Sequence, residues 1–331
     1  MSSSALRIVL LGDIVTPNLP RLQRKADFDF DVRCVAHSAS ETERTQAIHW
    51  ADAVVTTAFD KPAPQATSLK LVQGQGAGYE RILFDCVPAQ ATICNSFGHV
   101  RAAAEYALMT MLMWTHRWKD VETSFRAGSW QYGSMSLPTR NELNSQTVGI
   151  VGLGHMGREI AQRVQAMGVR VLGCARTQPD DCAAIERFWP LQQLDAFLAE
   201  CDFVILSIAL TPETQNLIDE ARLGHMRRNA VLINLARGPV VHEQALYEAL
   251  TQGTIGGAVL DVWWQYPDAA NPNRRGSTLP FHDLPNVLMT PHSSQWTEQM
   301  MDRRWDMIVA NLGRLKRGEP LRDIVRPPRP V

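Results

Sequence analysis

Three charged residues stand where apolar runs stop. Arg237 follows "VLINLA", Asp261 follows "GGAVL" and His292 follows "NVLMTP". Each run has the length and branched apolar content of a buried strand, and each breaks at its carboxyl end. Ligands of doubly wound sheets bind at that end, so the three side chains are expected at one crevice. A guanidinium suits a carboxylate or a keto oxygen, and an imidazole suits proton transfer near neutral pH. Plainer readings stay open: Arg237 as an ion-pair residue at a helix start, His292 as a cap after Pro291. Asp261 raises a question of its own, because "VWWQYP" follows it and holds no second acid.

A second constellation sits upstream. Gly152, Gly154 and Gly157 form G-x-G-x-x-G, closing the apolar run "QTVGIVGLG" and opening the helical pattern "HMGREIAQRVQAMG". Glycines there permit a tight turn and close backbone approach, and the helix start, with His155 and Met156, offers N–H groups and a positive dipole end to a pyrophosphate. The next strand ends "VLGCARTQP". A site for NAD usually has an acid at that end for the ribose 2′-hydroxyl. Ala175 stands there instead, followed by Arg176 and Thr177. An acid would repel a 2′-phosphate, whereas Arg offers it a bidentate cation and Thr a hydroxyl. The expectation is therefore NADP(H), with NAD(H) as a second cofactor and Arg176 as a plain solvent-facing residue in the alternative. Ala209, closing the run 201–209, completes the expected cofactor-binding set.

The elements that must position these residues follow from the alternation of short β-branched runs with amphipathic stretches. In the first hundred residues, runs at 6–13, 30–37, 52–57, 69–78 and 91–96 predict a parallel sheet covered on both faces. A long apolar helix is expected over 102–127, then a polar arm with Gly128, Gly133 and Pro138. Six further runs, at 146–154, 169–175, 201–209, 229–236, 256–263 and 286–292, predict a Rossmann-type doubly wound sheet. The tail predicts one amphipathic helix and a short extended piece packing back on the first domain. Domain bounds of 1–101 completed by 296–331, and 102–295 for the cofactor-binding domain, express this α/β reading.

Composition narrows the class. With 331 residues, two cores are affordable. Lys plus Arg number 33 against 34 Asp plus Glu, which argues against a nucleic-acid partner held by bulk charge. The basic run 314–317 reads as a solvated helix end. No apolar run approaches membrane-spanning length, and the first apolar stretch reads as a strand, not a signal peptide, so a cytoplasmic location is the default. The six cysteines form no CxxC pair, and most of them lie in apolar surroundings that predict buried reduced thiols, with no metal site.

Taken together, these segments resemble the D-isomer-specific 2-hydroxyacid dehydrogenase family over nearly the whole chain. Leu-Ala-Arg-Gly after a strand, Leu-Asp-Val after Gly-Gly-Ala, and Thr-Pro-His in register carry the resemblance with the glycine loop. "GQGAGYERI" resembles the family's substrate loop, and "CNSFGHVRAAAEYAL" the start of its interdomain helix. The resemblance implies a split flavodoxin-like substrate domain beside the Rossmann domain, and a homodimer. The notable apolar content of the expected helix, with Trp130 and Tyr132 in the arm, places the dimer contact in 102–145. By resemblance, backbone N–H groups near Gly76, Ala77 and Gly78 would hold the substrate carboxylate. Arg237 would bind that carboxylate and polarise the keto group, His292 would exchange a proton with the substrate oxygen, and Asp261 would hold the nicotinamide carboxamide. The implied activity is hydride transfer between NADP(H) and a small 2-ketoacid or its D-2-hydroxyacid, of the glyoxylate and hydroxypyruvate kind.

One departure stands out. The family usually has Glu five residues after the Asp, to hold and charge the catalytic His; here the residue is Tyr266, in an enlarged loop. The formate dehydrogenase branch also lacks that Glu, having Gln. A phenol supplies at most a hydrogen bond, so His292 is expected to lose its proton at lower pH than in Glu-bearing relatives. The competing expectation is that Tyr266 packs on the tryptophans while Asp268 or Asp283 reaches His292. Core packing is expected of Trp263, Trp264 and Trp296, with Trp296 also near enough to wall an apolar pocket beside His292. Two other functions share the scaffold: oxidation of a non-hydroxyacid such as formate or phosphite, and dinucleotide sensing without catalysis, against which Arg237 and His292 argue.

Overall fold

A computed structural model of the chain describes residues 5–36, 38–63, 65–134, 139–268 and 270–328. His37, at the end of one expected strand, and Pro138, in the expected arm, lie outside the described residues. The chain divides into two compact units, Met1–His99 with Thr297–Val331, and Val100–Trp296.

The first unit begins β1 (Leu6–Leu11), α1 (Leu19–Lys25), β2 (Phe30–Val35), α2 (Glu41–Trp50), β3 (Ala53–Thr56), β4 (Leu71–Gly74) and β5 (Thr92–Cys94). These strands pair in parallel in the order β5-β4-β3-β1-β2. Alternate residues point to opposite faces, and both faces of β1 are apolar. Val9 and Leu11 join a core with Ile48 and Ile93, while Ile8 and Leu10 join the opposite one with Trp305 and Leu312.

The second unit runs α3 (Val100–Thr115), α4 (Trp118–Arg126), β6 (Thr147–Val151), α5 (His155–Gln165), β7 (Arg170–Ala175), β8 (Arg187–Pro190), α6 (Leu194–Leu198), β9 (Phe203–Leu206), α7 (Glu220–His225), β10 (Val231–Asn234), α8 (Glu243–Gln252), β11 (Gly257–Leu260) and β12 (Val287–Met289). Its sheet is parallel throughout, ordered β12-β11-β10-β9-β6-β7-β8. Seven strands stand where six were expected. The extra one, β8, is a four-residue edge whose first residue is the exposed Arg187, so it carries neither alternation nor an apolar run.

The expected single helix over 102–127 is two helices. Arg117 adopts a left-handed conformation (φ 52°) that ends α3 and starts α4. Its guanidinium donates to Asp120 at 3.0 Å and lies over the Tyr132 ring. Ala103, Ala104, Ala107 and Met111 of α3 are fully buried, whereas no residue of α4 is.

The chain then returns to the first unit as α9 (Glu298–Arg317) and β13 (Ile324–Arg326). Thr297 caps α9 by accepting from the Met300 N–H, and Gly318 ends it at φ 69°. Met300, Met301, Trp305, Ile308 and Leu312 form its buried stripe at helical spacing. β13 pairs antiparallel with β5 and closes that edge of the sheet. Cys94, Cys174 and Cys201 are buried, and burial pushes the first two thiols up to about 12, leaving them unreactive. Cys86 and Cys182 are half-buried, and Cys34 is exposed on the edge strand β2. Among the described residues no helix is long and apolar enough to cross a membrane, and no cluster of three His, Cys, Asp or Glu could hold a metal.

Candidate active site

The glycine loop lies between β6 and α5. Gly152 has φ 97°, and a Cβ on Gly157 would sit 2.0 Å from the Gly152 carbonyl oxygen, so neither position accepts a side chain. The Ser207 hydroxyl donates to the same carbonyl at 2.6 Å and braces the turn. A Cβ on Gly154, the N-cap of α5, would meet nothing within 4 Å, and His155 is exposed, with Met156 half-buried behind it. This cradle before the N-terminus of an eleven-residue helix fits a pyrophosphate. At the end of β7, Ala175 is half-buried and Arg176 and Thr177 are exposed. Glu213 lies near enough that, after its Thr211 and own-backbone hydrogen bonds, the Arg176 charge also lowers its pKa. Ala209 is exposed beyond the end of β9, its carbonyl accepting from the Thr214 hydroxyl at 2.7 Å.

The other constellation is set by strand register. Asn234 pairs with Leu260, and Leu260 with Met289, so β10, β11 and β12 end level. With neighbouring strands about 4.8 Å apart, the residues that follow leave the sheet within about 10 Å of one another. After β10, the Asn234 amide accepts from the Ala236 N–H and donates to the Arg237 carbonyl, fixing the turn that carries Arg237. The half-buried Arg237 side chain donates to the Ala236 carbonyl at 2.8 Å.

After β12, His292 stands at φ 56°, the left-handed region that favours glycine, and its N–H donates to the Thr290 carbonyl at 3.0 Å. Its Nδ1 lies 3.0 Å from the Tyr266 hydroxyl. That phenol oxygen also accepts from the Trp263 N–H at 3.3 Å. Between the two expectations for Tyr266, this geometry places the phenol on the imidazole. Asp268 instead caps Ala270 and Asn271 and pairs with Arg274 at 2.9 Å, and Asp283 lies 3.5 Å from His282.

The enlarged loop is tied to the body. Gly276 lies so close under the Trp263 ring that a Cβ would be 2.2 Å from it, and the Ser277 hydroxyl donates to Glu243 at 2.5 Å. Trp263 and Trp264 donate their indole N–H groups to the Thr290 and Val241 carbonyls. Trp296 corrects the core reading: it is 61 % exposed.

Asp261 is fully buried. Its carboxylate accepts from the Thr290 hydroxyl at 2.6 Å, the Ser293 N–H at 2.9 Å, the Ser294 N–H at 3.1 Å and the Ser294 hydroxyl. Thr290 is in turn 2.6 Å from the Tyr106 hydroxyl of α3. The sequence reading missed Thr290, Ser293, Ser294 and Tyr106. The only signal was the polar cluster around His292 in "TPHSS", which gave no direction for its hydroxyls.

In the first unit, Gly76, Ala77 and Gly78 follow β4 as a half-buried loop. The Gly76 carbonyl accepts from the Ser96 N–H and the Ala77 carbonyl from the Asn95 amide, which turns the loop's carbonyls back into its own unit.

Known proteins share this organisation. Residues 108–294 match the family model described as D-isomer specific 2-hydroxyacid dehydrogenase, NAD binding domain. The chain is 31% identical over 260 residues to a glyoxylate reductase from Korarchaeum cryptofilum, covering 77% of this chain and 75% of that protein. The structure of a D-isomer specific 2-hydroxyacid dehydrogenase family protein from Aeromonas salmonicida superposes with TM-score 0.81 at 26% identity, covering 97% of this chain and 99% of that one. An NADPH-dependent glyoxylate/hydroxypyruvate reductase from Sinorhizobium meliloti, solved with NADP and sulfate, gives TM-score 0.79 at 25% identity, over 97% and 98%. With its glycine loop and three level strand ends in place, the chain belongs to the D-isomer specific 2-hydroxyacid dehydrogenase family of NAD(P)-dependent oxidoreductases.

Proposed function

We propose that the protein reduces small 2-ketoacids to D-2-hydroxyacids, preferring NADPH. The observation that carries this reading is the Tyr266–His292 pair, which stands with Arg237 at the level ends of β10, β11 and β12 in a dinucleotide-binding sheet. The similar proteins that reduce glyoxylate or hydroxypyruvate support the substrate class.

The bound nicotinamide would supply the hydride that reaches C2 of the substrate. Arg237 then places the carboxylate and draws charge from the keto oxygen through charge-assisted hydrogen bonds. His292 gives that oxygen its proton, and takes one back from the alcohol in the reverse direction. Tyr266 decides which ring nitrogen does so. With Nδ1 held on the phenol oxygen, Nε2 is the nitrogen that exchanges the proton, and in the neutral ring that takes it back Nδ1–H donates to the phenol, whose second lone pair accepts from Trp263. In the imidazolium, Nδ1–H donates to the phenol oxygen, and Nε2–H remains the group to be given up. Purified protein with NADPH or NADH and a panel of 2-ketoacids, read by loss of reduced-cofactor absorbance, tests the reading. Turnover only with formate or phosphite and oxidised cofactor, or none at all, would defeat it.

Changing Tyr266 should move the pH profile. An ionised Glu beside the ring favours imidazolium, a phenol less so. The reductive reaction needs the protonated ring, which is lost as pH rises. In Tyr266→Glu the alkaline fall of kcat/KM should therefore move to higher pH, while Tyr266→Phe lowers kcat only about threefold to tenfold, the worth of one neutral hydrogen bond. A profile untouched by Tyr266→Glu but moved by Asp283→Asn would transfer the role to Asp283.

The cofactor preference rests on Arg176 and Thr177 at the end of β7. Arg176→Ala should lower kcat/KM for NADPH about tenfold to a hundredfold, as for a charge-assisted bond of about 1.5–3 kcal/mol, and leave NADH nearly unchanged. An unchanged NADPH to NADH ratio would remove the preference, and Glu213, whose charge opposes a phosphate, would be the reason.

A homodimer through 102–145 also belongs to this reading. Along α4 and the arm, Trp118, Phe125 and Trp130 are 56 %, 58 % and 73 % exposed, with Phe125 and Trp130 edge to face. Aromatic surface of this kind favours burial against a second copy. Sedimentation at micromolar concentration should give a dimer, and Trp130→Ser with Phe125→Ser should shift it toward monomer.

A further inference from the structure

Helix α2 turns polar side chains inward. Glu41, Arg44, Thr45 and Ile48 recur at i, i+3, i+4 and i+7, positions that a covering helix normally gives to apolar residues. Only Ile48 among them is apolar, and all four line one cleft of the first unit. We infer that this cleft is a binding site for an α-amino acid with a small apolar side chain. The inference goes beyond the proposed function and does not rest on it.

The cleft lies where open α/β sheets receive ligands. β1 pairs with β2 on one side and with β3 on the other, so the order of strand addition reverses at β1. Ligands bind outside the carboxyl ends of the strands at such a reversal. Leu11, the last residue of β1, forms the floor with Ile48 and Phe59, all three buried in one apolar core. The opposite wall is the segment that follows β3. There the Thr56 hydroxyl donates to the Ala58 carbonyl at 2.7 Å. The Phe59 N–H donates to the Arg81 carbonyl, and the Phe59 carbonyl accepts from the Leu83 N–H, each at 2.9 Å. The backbone that carries Asp60 is therefore fixed before a ligand arrives. Counted to its open side, the cleft encloses about 400 Å³, room for a small molecule.

Four charges rim the apolar floor, Arg44 and Lys61 against Glu41 and Asp60. Arg44 is the informative one. Its side chain is only 19 % exposed, yet it makes no hydrogen bond among the described residues, and its ion-pair partner Asp60 stands 4.0 Å away. That gap is too long for a hydrogen bond. A guanidinium has five donors, and withdrawing them from water without partners costs free energy. Lys61 and Glu41 pair at 3.0 Å, but both are exposed, so their pair opens at little cost. A simple anion on Arg44 would meet the Asp60 charge beside it. A zwitterion leaves neither charge unmatched: its carboxylate takes the Arg44 fork and its ammonium takes Asp60. Its side chain then covers Leu11, Ile48 and Phe59.

Calorimetric titration with L-valine tests the inference. Wild type should bind one valine per chain with a dissociation constant of about 1 mM or below. Isovalerate lacks the ammonium and isobutylamine lacks the carboxylate; each should bind at least about tenfold more weakly, for one lost charge-assisted contact. Arg44→Met keeps the apolar stem and should remove the valine signal with the melting temperature unchanged. Asp60→Asn should weaken valine about tenfold and leave isovalerate unaffected. No saturable binding by wild type, or valine binding undiminished in both variants, overturns the inference. Isovalerate or inorganic phosphate binding as tightly as valine also overturns it, and leaves a plain anion site. Valine binding lost in Arg237→Ala but kept in Arg44→Met places the amino acid at the proposed active site and overturns it likewise. Wild type inert toward every ketoacid would defeat the proposed function, and the valine titrations would still decide this site.

Discussion

Replacing Arg237 by alanine is expected to lower kcat/KM for 2-ketoacid reduction by about a hundredfold to ten-thousandfold, with NADPH affinity held within about twofold. The size follows from two charge-assisted hydrogen bonds to a substrate carboxylate at about 1.5–3 kcal/mol each. The selectivity follows from position. Arg237 leaves the sheet after β10, seven strand-and-helix elements along the chain from the glycine loop that fits the pyrophosphate, and the Asn234 amide braces its turn through Ala236 and Arg237 backbone groups. Truncation should therefore leave the fold and the cradle intact. Arg237→Lys keeps the charge and loses the planar fork, so it should recover only part of the loss. Loss in kcat as well as in KM would show that the guanidinium acts on the keto oxygen during reaction, beyond binding the acid. A variant that binds NADPH and keeps a tenth or more of wild-type efficiency on every accepted ketoacid would place the substrate elsewhere.

The second large effect belongs to His292. Removing a general acid costs about a hundredfold to ten-thousandfold. The substitution must respect the backbone: at φ 56° a β-branched or bulky replacement would add strain, whereas asparagine tolerates the left-handed region. His292→Asn should thus keep the turn that Asp261 holds, bind NADPH as wild type does, and lose kcat in both directions. Because no titrating imidazole remains, what activity is left should also lose the alkaline fall described for the Tyr266 variants. A His292→Asn protein with more than a tenth of wild-type kcat would show that the proton comes from another group.

The framework was legible in the sequence for a physical reason. Strands of a parallel sheet are covered on both faces, so they appear as short continuous apolar runs, and the runs ending at Asn234, Leu260 and Met289 announced both the strands and the points where chemistry leaves them. The glycine loop was legible because a pyrophosphate cradle excludes side chains, and Gly157 against the Gly152 carbonyl shows that exclusion directly. Composition and local pattern do not reach the break at Arg117, where the apolar periodicity continues while one residue turns left-handed, or the edge strand β8, which is too short and too polar to show a period.

The residue types at the strand ends are readable from the chain alone: Arg237, Asp261, His292 and, five residues after the acid, a tyrosine in place of a glutamate. How these side chains meet one another follows from the packed fold. Whether Tyr266, Asp268 or Asp283 meets the imidazole depends on the path of an enlarged loop, and that path is set by contacts distant in sequence: Gly276 under Trp263, Ser277 on Glu243, Trp263 on Thr290. The partners of Asp261 lie 29 to 33 residues downstream, brought beside it by the pairing of β11 with β12. Side-chain hydrogen bonds are short and directional, so the identity of a residue fixes what it can donate or accept, while only the packed sheet fixes to whom.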